Sequence, residues 1–376
     1  MITKKQLQTF DYLLVLLVFS LVVFGIIIIG SATRININGP EGEFQSQMIW
    51  FATGIILMLF AAFIDYHTIA RFYLVLYGIN IFLLVLVLIF GGDDGTGVKR
   101  WIFGIQPSEF SKVFMIIYLS KFIDKNREKI NNISVLFLVF VSTLIPFMLI
   151  KEQPSLSASL VTLAIMITLL FTGKISFKYI FIALAIIIPI AIVVIIDLHT
   201  EEHKLLSLFL EPYHIRRLTT AINPDLSSPD YYQTKNSIWA IGSGELRGKG
   251  LYQGTINQLS YLPESHNDFI FSVIGEEFGF LGCVSVLLVM LLIITRCIFI
   301  AAKAMDNLGR LIASGVAGML AFQTFVNVGV ATGLLPNTGM PFPFLSYGGS
   351  SMWMNMIAIG LVINVGMRKP KSIFEG

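Results

Sequence analysis

Long apolar runs, separated by short polar segments, follow one another along the whole chain. A helix that crosses the hydrocarbon core of a bilayer needs about 20 mostly apolar residues. Ten runs meet or approach this length, and we predict a membrane-spanning helix in each: residues 12–30, 47–64, 73–90, 109–123, 133–150, 156–173, 178–196, 269–295, 311–333 and 348–366. The pattern therefore predicts an all-α polytopic membrane protein with about ten transmembrane helices.

Composition indicates that lipid surrounds most of this chain. Of its 376 residues, 55% are hydrophobic and only 13% are charged, and the mean hydropathy is +0.79. A soluble domain carries roughly 25% charged residues, so the chain has too few charges to cover a water-facing surface. No linker or low-complexity segment divides it, and we predict a single integral membrane domain over residues 1–376. The two cysteines share one apolar run, which excludes a disulfide framework.

The basic residues lie in short clusters between the apolar runs, and these clusters orient the chain. Ten spans place both termini on the same side of the membrane. With that side in the cytoplasm, 15 of the 26 Lys and Arg residues fall in short cytoplasmic segments, five fall on the opposite side and six fall in one long loop. The positive-inside rule therefore predicts cytoplasmic termini. Basic residues placed in this way do not indicate nucleic-acid binding.

The long loop covers residues 197–268, between the seventh and eighth spans, and we predict that it is extracellular. A connection of roughly 70 residues is unusually long, which favours a functional role. Residues 201–218 mix charges with leucines, which fits either a short helix in the membrane interface or a helix packed on the protein's own surface. Residues 241–254 include five glycines, which bend tightly and let a ligand approach the backbone.

A first polar cluster surrounds the start of the fourth span. Glu109 and Lys112 lie three residues apart on one helix face, just after Pro107, which suits the first helical turn. A charge at the bilayer centre costs about 2.5–3.5 kcal/mol on insertion scales. The two side chains form either an ion pair that lets both enter the membrane or a polar wall for a charged lipid headgroup. Trp101 is either an interfacial anchor or a stacking platform for a sugar ring.

A second polar cluster lies where the long loop meets the eighth span. Asp268 stands at this junction, where partial loss of water makes a carboxylate a better base. An Asp before Phe-Ile-Phe also fits a helix N-cap, and the two roles do not exclude each other. Glu276 and Glu277 follow about 12 Å deeper at 1.5 Å per residue. We predict that both face the bundle interior or a water-filled cavity.

A third polar cluster comprises Gln323, Asn327 and the segment 333–351. Three prolines and four glycines in the 19 residues of this segment cannot continue a helix. They predict a re-entrant or tightly folded outer loop whose free backbone amides can bind an anion. The alternative is a rigid connector between the last two spans.

Four motifs in these segments resemble the SEDS family (shape, elongation, division and sporulation). They are Lys99-Arg-Trp-Ile with Gln106-Pro-Ser-Glu, Ala240-Ile-Gly-Ser-Gly with Gly248-Lys-Gly, Leu262-Pro-Glu through Asp268-Phe-Ile-Phe with Gly275-Glu-Glu-Phe-Gly, and Gly333-Leu-Leu-Pro through Ser346-Tyr-Gly-Gly-Ser-Ser. The resemblance runs from Asp11 to the last helix. The compact length and Glu277-Phe-Gly-Phe favour a RodA-type member over an FtsW- or SpoVE-type one.

The resemblance implies a ten-helix fold and an inverting peptidoglycan glycosyltransferase of the bacterial plasma membrane. Its substrate would be lipid II, a disaccharide-pentapeptide on undecaprenyl pyrophosphate, and its partner a class B penicillin-binding protein. The family's essential acid falls on Asp268, its outer tryptophan on Trp101 and its buried acid–base pair on Glu109 and Lys112. Further candidates for substrate contacts are Arg100, Glu264, Arg216, Arg217, Ser346 and Tyr347.

The implied mechanism uses Asp268 as the base that activates the acceptor sugar. The donor carries its own pyrophosphate, so no nucleotide is expected. Positive charge for that leaving group would come from Lys112, Arg100, Arg216, Arg217 or a bound Mg²⁺ or Mn²⁺. The chain departs from the family at Ser155, where an acid is usual. Two alternatives remain: a flippase or transporter of the lipid-linked precursor, and a non-catalytic scaffold of the cell-wall machinery.

Overall fold

The computed structural model describes residues 9–33, 42–93, 99–153, 155–198 and 229–368, together with residues 200, 207, 215 and 219. Over these residues the chain forms thirteen α-helices and one small antiparallel β-hairpin. The helices are α1 Tyr12–Thr33, α2 Gly42–Phe63, α3 Tyr66–Arg71, α4 Tyr73–Phe90, α5 Pro107–Lys125, α6 Ile133–Lys151, α7 Leu156–Thr172, α8 Phe177–Leu198, α9 Pro229–Ser243, α10 Thr255–Gln258, α11 Ile270–Ala302, α12 Asn307–Ala331 and α13 Gly349–Met367. The hairpin pairs β1 Gly92–Asp93 with β2 Lys99–Trp101.

Each of the ten predicted spans corresponds to one of these helices. Eight of the described helices are long and apolar enough to cross a membrane: α1, α2, α4, α6, α8, α11, α12 and α13. The remaining two are α5, which carries several charged residues, and α7, which has only 17 residues. The prediction of an all-α polytopic membrane protein is confirmed, while the number of ten spans stays a prediction.

Helices α2 and α13 run parallel and approach closely because glycines lie between them. A Cβ on Gly360 of α13 would come within 2.3 Å of the Met58 carbonyl oxygen, and one on Gly54 of α2 within 3.1 Å of the Met356 side chain. In a membrane, small residues at an interface let helix backbones meet and gain van der Waals contact. The same register places the first turn of α13 beside Trp50, about two turns into α2, at one end of the bundle.

Helix α8 lies at the periphery of the bundle. None of the residues in its most apolar window is buried, and only Asp197 and Leu198, at its end, are shielded. Its apolar side chains therefore face the surrounding lipid. The predicted helix over residues 201–218 lies outside the described residues, apart from residues 207 and 215.

Helix α11 is interrupted at Gly279, where φ is 66° and ψ is −161°. Residues 245–250 pair with the backbone opened by this break: the Gly250 N–H donates to the Glu277 carbonyl at 2.9 Å, and the Phe280 N–H donates to the Glu245 carbonyl at 2.9 Å. A Cβ on Gly248 would lie 2.1 Å from the Glu277 carbonyl oxygen. Gly244, Gly248 and Gly254 thus allow a close approach of the protein's own helix, and the approach of a ligand to this segment stays a prediction.

Glu276 and Glu277 are both fully buried, as predicted. The Glu276 carboxylate accepts bonds from Lys249 Nζ at 2.6 Å and from the backbone N–H groups of Ile256 at 2.8 Å and Asn257 at 3.1 Å. Glu277 accepts a bond from the hydroxyl of Ser31. These acids hold the glycine-rich segment and α10 against α11 and α1, which is a structural role.

The segment between α12 and α13 folds back into the bundle. A Cβ on Gly25 of α1 would lie 2.8 Å from the Cα of Leu345. Gly25 precedes the end of α1 at Thr33 by eight residues, or about 12 Å at 1.5 Å per residue. Phe342, Phe344 and Leu345 are buried. The prediction of a re-entrant, tightly folded loop is confirmed.

Candidate active site

Four helices begin around one cavity at the end of the bundle that carries the long loop. They are α5, α7, α11 and α13, and the cavity has a volume of about 210 Å³. The first turns of α5 and α13 are joined directly, because the Gln106 N–H donates to the Ser350 hydroxyl at 3.0 Å. A helix N-terminus presents unpaired N–H groups and a partial positive charge. Four such ends around one space favour a negatively charged ligand.

Six of the ten predicted site residues line this cavity: Arg100, Trp101, Glu109, Lys112, Asp268 and Tyr347. Two others, Glu264 and Ser346, do not line it. Arg216 and Arg217 lie outside the described residues. Residues far apart in sequence, from the hairpin, α5, the start of α11 and the re-entrant loop, are therefore brought together as predicted.

Asp268 is half-buried at the cavity wall, one residue before the N-cap position of α11. That N-cap is Phe269, whose side chain makes no capping hydrogen bond, so the alternative in which Asp268 occupies the N-cap is wrong. The carboxylate lies beside Gly339 of the re-entrant loop, since a Cβ on residue 339 would come within 3.2 Å of Oδ2. The acid therefore faces the space where a ligand would sit.

Glu109 and Lys112 form a buried ion pair at the cavity, with Nζ 2.6 Å from Oε1. Both side chains are nearly inaccessible, at 5% and 3% exposure. The second carboxylate oxygen of Glu109 is buried and has no hydrogen-bond partner among the described residues. The predicted ion pair is confirmed, and its position also fits the predicted polar wall.

Arg100 and Trp101 come from strand β2, which the hairpin places above the start of α5. The Nε of Arg100 donates to the Gln153 carbonyl at 3.1 Å, which ties the hairpin to the segment before α7. Trp101 is half-buried and lines the cavity, as a stacking platform would. Arg100 and Lys112 are the two cationic side chains of the lining, against the acids Glu109 and Asp268.

Ser155 also lines the cavity, at the N-cap position of α7. Its side chain makes no capping hydrogen bond and is 7% exposed. The lining carries two acidic and two basic side chains, and an acid at position 155 would add a third negative charge. The departure from the family pattern therefore changes the charge of the cavity itself.

Ser346 and Tyr347 play different parts. The Ser346 hydroxyl is buried; it donates to the Asn267 carbonyl at 2.6 Å and accepts from the Phe342 N–H at 2.8 Å. It therefore holds the re-entrant loop to the Asp268 segment, and the structure does not support its predicted contact with substrate. Burial, followed by the Glu43 carboxylate, raises the pKa of Tyr347, so its phenol stays neutral.

Glu264 is exposed and has a φ of 55° at the tip of the turn before Asp268. Its carbonyl accepts from the Asn267 N–H at 3.0 Å, which closes that turn. Because the side chain lies outside the cavity, the structure does not support its predicted contact with substrate.

Trp50 is a cavity residue that sequence reasoning missed. Its ring centroid lies 5.0 Å from that of Tyr347. A Cβ on Gly349 would come within 2.7 Å of the indole, so the glycine leaves room for the ring at the start of α13. Two tryptophans and a tyrosine thus line a cavity that also holds a carboxylate, a combination suited to stacking and activating a sugar.

A divalent cation has few protein ligands here. Among the described residues, no three His, Cys, Asp or Glu side chains are grouped to hold a metal. The lining offers the oxygens of Asp268 and Glu109, and one oxygen of Glu109 is engaged by Lys112. Mg²⁺ is commonly bound by one or two carboxylates together with substrate phosphates. The lining therefore fits an ion that arrives with a phosphorylated ligand.

Comparison with known proteins defines the class of this molecule. The family model for FtsW, RodA and SpoVE cell cycle proteins matches residues 11–371. The chain belongs to this family. A probable peptidoglycan glycosyltransferase FtsW of Trichlorobacter lovleyi is 35% identical over 371 residues, covering 96% of this chain and 94% of that protein. Stage V sporulation protein E of Bacillus subtilis is 36% identical over 383 residues, covering 97% and 98%.

The fold is also similar to solved structures. One is a chain of a peptidoglycan synthase complex that coordinates polymerization and crosslinking, with a TM-score of 0.77 at 27% identity, covering 95% of this chain and 97% of that one.

A further relative in sequence, peptidoglycan glycosyltransferase RodA of Treponema pallidum, is 30% identical, covering 97% of this chain and 99% of that protein. Relatives named FtsW, SpoVE and RodA all match over nearly their whole length, so the preference for a RodA-type member stays a prediction.

Proposed function

We propose that this protein is a peptidoglycan glycosyltransferase that polymerises lipid II into β-1,4 glycan strands. The observation that carries this proposal is the cavity in which Asp268 meets two cationic side chains and three aromatic rings, at the end of the bundle that carries the long loop. A cavity of about 210 Å³ is smaller than the roughly 300–1,000 Å³ of common ligand sites. It suits the reacting sugar and its phosphates, with the prenyl chain left among the helices and lipid.

In the proposed reaction, Asp268 takes the proton from the 4-hydroxyl of the acceptor GlcNAc. That oxygen forms a bond to C1 of the donor MurNAc as the bond from C1 to the pyrophosphate breaks, so the α-linkage is inverted to β. The proton remains on Asp268 until it passes to water, and the lipid pyrophosphate leaves. General base catalysis of this kind contributes about 10²–10⁴-fold.

Charge on the departing pyrophosphate is stabilised by groups already aimed at the cavity. Arg100 and Lys112 supply side-chain cations, and the first turns of α5, α7 and α13 supply N–H groups and positive dipole ends. Mg²⁺ or Mn²⁺ arriving with these phosphates would be held by the Glu109 carboxylate, whose Oε2 has no hydrogen-bond partner among the described residues, and would supply further positive charge, while the Asp268 carboxylate keeps its role as the base. Stacking on Trp50, Trp101 or Tyr347 would hold the sugar rings in place.

A lipid flippase is the main alternative, and a scaffold is the other. Glu276 and Glu277, which a translocation path would need to expose, are instead bonded within the protein. Purified protein in liposomes with labelled lipid II separates the three functions. The proposal expects polymeric glycan; movement of lipid II without glycan would favour the flippase, and neither activity, with or without a class B penicillin-binding protein in the liposomes, would favour the scaffold.

We further propose that the protein lies in the bacterial plasma membrane with both termini in the cytoplasm, and that it works with a class B penicillin-binding protein. The distribution of Lys and Arg supports this orientation. The similarity to a chain of a peptidoglycan synthase complex supports the partner. The orientation is tested with variants that carry a single cysteine, either in the long loop or at the C-terminus of the protein. When intact cells are treated with a membrane-impermeant thiol reagent, only the cysteine in the loop should be labelled.

A further inference from the structure

Residues 266–268, the last of which is the proposed base, are held in place by hydrogen bonds to their own three main-chain carbonyls. The His266 carbonyl accepts from the Tyr347 N–H at 3.0 Å, the Asn267 carbonyl from the Ser346 hydroxyl at 2.6 Å, and the Asp268 carbonyl from the Asn327 side-chain amide at 2.9 Å. The first two bonds come from the re-entrant loop and the third from α12. The segment is therefore fixed from two separate elements before α11 begins.

Asn327 makes the connection nearest to the acid. Its side chain is fully buried on α12, and its Nδ2 donates to Asp268 O at 2.9 Å and to Met340 O at 2.7 Å. Met340 directly follows Gly339, the residue that lies against the Asp268 carboxylate. One amide group thus ties the main chain of the acid to the piece of loop that its carboxylate touches.

A second asparagine shows what a purely structural role looks like. Asn364 is as deeply buried as Asn327, and its Nδ2 also donates to two main-chain carbonyls, that of Ala61 at 2.9 Å and that of Ile64. It lies near the end of α13, whereas the cavity is at the start of that helix. Both asparagines satisfy carbonyls that an apolar side chain would leave unpaired. Only Asn327 does so at the acid.

We propose that Asn327 is a positioning residue that acts through Asp268, and this inference rests on the proposed function. Its amide fixes the distance between the Asp268 backbone and the loop at Gly339, and so fixes where the carboxylate points. It does not touch the substrate. Loss of the amide should therefore slow the chemical step and leave substrate binding nearly unchanged. A displacement of about 1 Å at a reacting group can cost about 10²-fold in rate.

The test compares Asn327→Leu with the matched control Asn364→Leu, each alone and combined with Asp268→Ala. Full-length protein is purified, its folded fraction and Tm are measured, and polymerisation of lipid II is followed to give kcat and KM. Both asparagine variants should lose Tm, and Asn364→Leu should lose at least as much as Asn327→Leu, because Asn364 Oδ1 also accepts from Arg368 Nε at 3.0 Å. Asn327→Leu alone should lower kcat about 10²-fold, with KM within about twofold, and Asn364→Leu should keep the kcat of folded wild-type protein.

The combined variants give the decisive comparison. If Asn327 acts through the acid, Asn327→Leu should lower the residual rate of Asp268→Ala by less than about twofold, because effects of residues that act as a unit are not additive. An equal kcat for folded Asn327→Leu and Asn364→Leu, or a full additional loss in the Asp268→Ala background, would overturn the inference. If Asn327→Leu does not fold, Asn327→Ala makes the same comparison.

Different results would contradict the proposed function itself. They are no polymerisation by the wild-type protein, or a wild-type rate for Asp268→Ala. Neither of those results depends on a variant of Asn327.

Discussion

Gly339 lies against the carboxylate of Asp268, so closely that a Cβ on residue 339 would come within 3.2 Å of Oδ2. Its φ of +65° also belongs to the left-handed region that glycine adopts most easily. The loop and the acid therefore form one surface of the cavity.

We expect Gly339→Ala to lower kcat for lipid II polymerisation, by less than the roughly 10²-fold that a displacement of about 1 Å can cost, because a Cβ 3.2 Å from Oδ2 pushes the carboxylate only a short way out of position. Gly250→Ala is the matched control, because Gly250 has a φ of +105° and its nearest neighbour is the flexible side chain of Gln253 at 3.3 Å. Both variants carry the same type of backbone strain, and only one contacts the acid. Equal losses of kcat in the two folded proteins would contradict the prediction.

The ion pair of Glu109 and Lys112 is expected to have both a structural and a functional part. Lys112→Met leaves a buried carboxylate uncompensated, which costs about 3–5 kcal/mol. Adding Glu109→Gln should restore most of the Tm, because replacing both charges of a buried pair is often nearly neutral. Polymerisation should stay low in the double variant, since the cation near the pyrophosphate is still missing. A double variant with the wild-type rate would show that the pair serves stability alone.

This pair was predictable because it is local. Two residues three apart on a helix share a face wherever that helix packs, and the structure keeps that relationship. The break in α11 was not predictable, because Gly279 lies inside a predicted span, residues 269–295, and its φ is set by pairing with residues 245–250, which are distant in the pattern of that span. The glycines of that segment did indicate a close approach, but the sequence did not indicate that α11 was what approached.

Trp50 shows a second limit of sequence reasoning. A tryptophan in the first turns of an apolar run is typical of an interfacial anchor. Its place in the cavity depends on the parallel packing of α2 on α13, whose contacts join residues about 300 positions apart, and on the space left by Gly349. No pattern along the chain indicates that register.

We expect Trp50→Leu to raise KM for lipid II about tenfold, since an aromatic contact contributes about 1.4 kcal/mol beyond buried area. Trp353→Leu is the control: Trp353 is also half-buried, and its Nε1 donates to the Thr53 hydroxyl at 2.8 Å outside the cavity. The two KM values, measured on folded protein, check this expectation. A KM for Trp50→Leu equal to that of Trp353→Leu would exclude stacking at Trp50.

At the opposite end of the bundle, the contribution of Asp306 to stability is expected to depend on pH. It accepts bonds from the Gly309 N–H at 2.9 Å and the Tyr66 hydroxyl at 2.7 Å, and His67 Nε2 lies 2.8 Å from Oδ2. Burial alone would raise the pKa of Asp306, but these hydrogen bonds outweigh it and lower the pKa. A lowered pKa in the folded state means stability that is present above the unfolded pKa of about 3.9 and is lost as pH falls through the folded value.

Asp306→Asn should therefore have a lower Tm than the wild type at neutral pH, and the difference should shrink below about pH 4. Thermal unfolding of both proteins in detergent, between about pH 3 and pH 7, measures this difference in Tm. A difference in Tm that stays constant over this range would contradict the ionic role assigned to the carboxylate.

The central claim is that the Asp268 carboxylate removes a proton from a sugar hydroxyl. The most direct measurement is the rate of lipid II polymerisation by purified Asp268→Asn, a variant of the same shape without the basic carboxylate, with its Tm as the check on folding. We predict a Tm near that of the wild type and a rate lower by about 10²–10⁴-fold. A folded Asp268→Asn protein that polymerises lipid II at the wild-type rate would contradict the account.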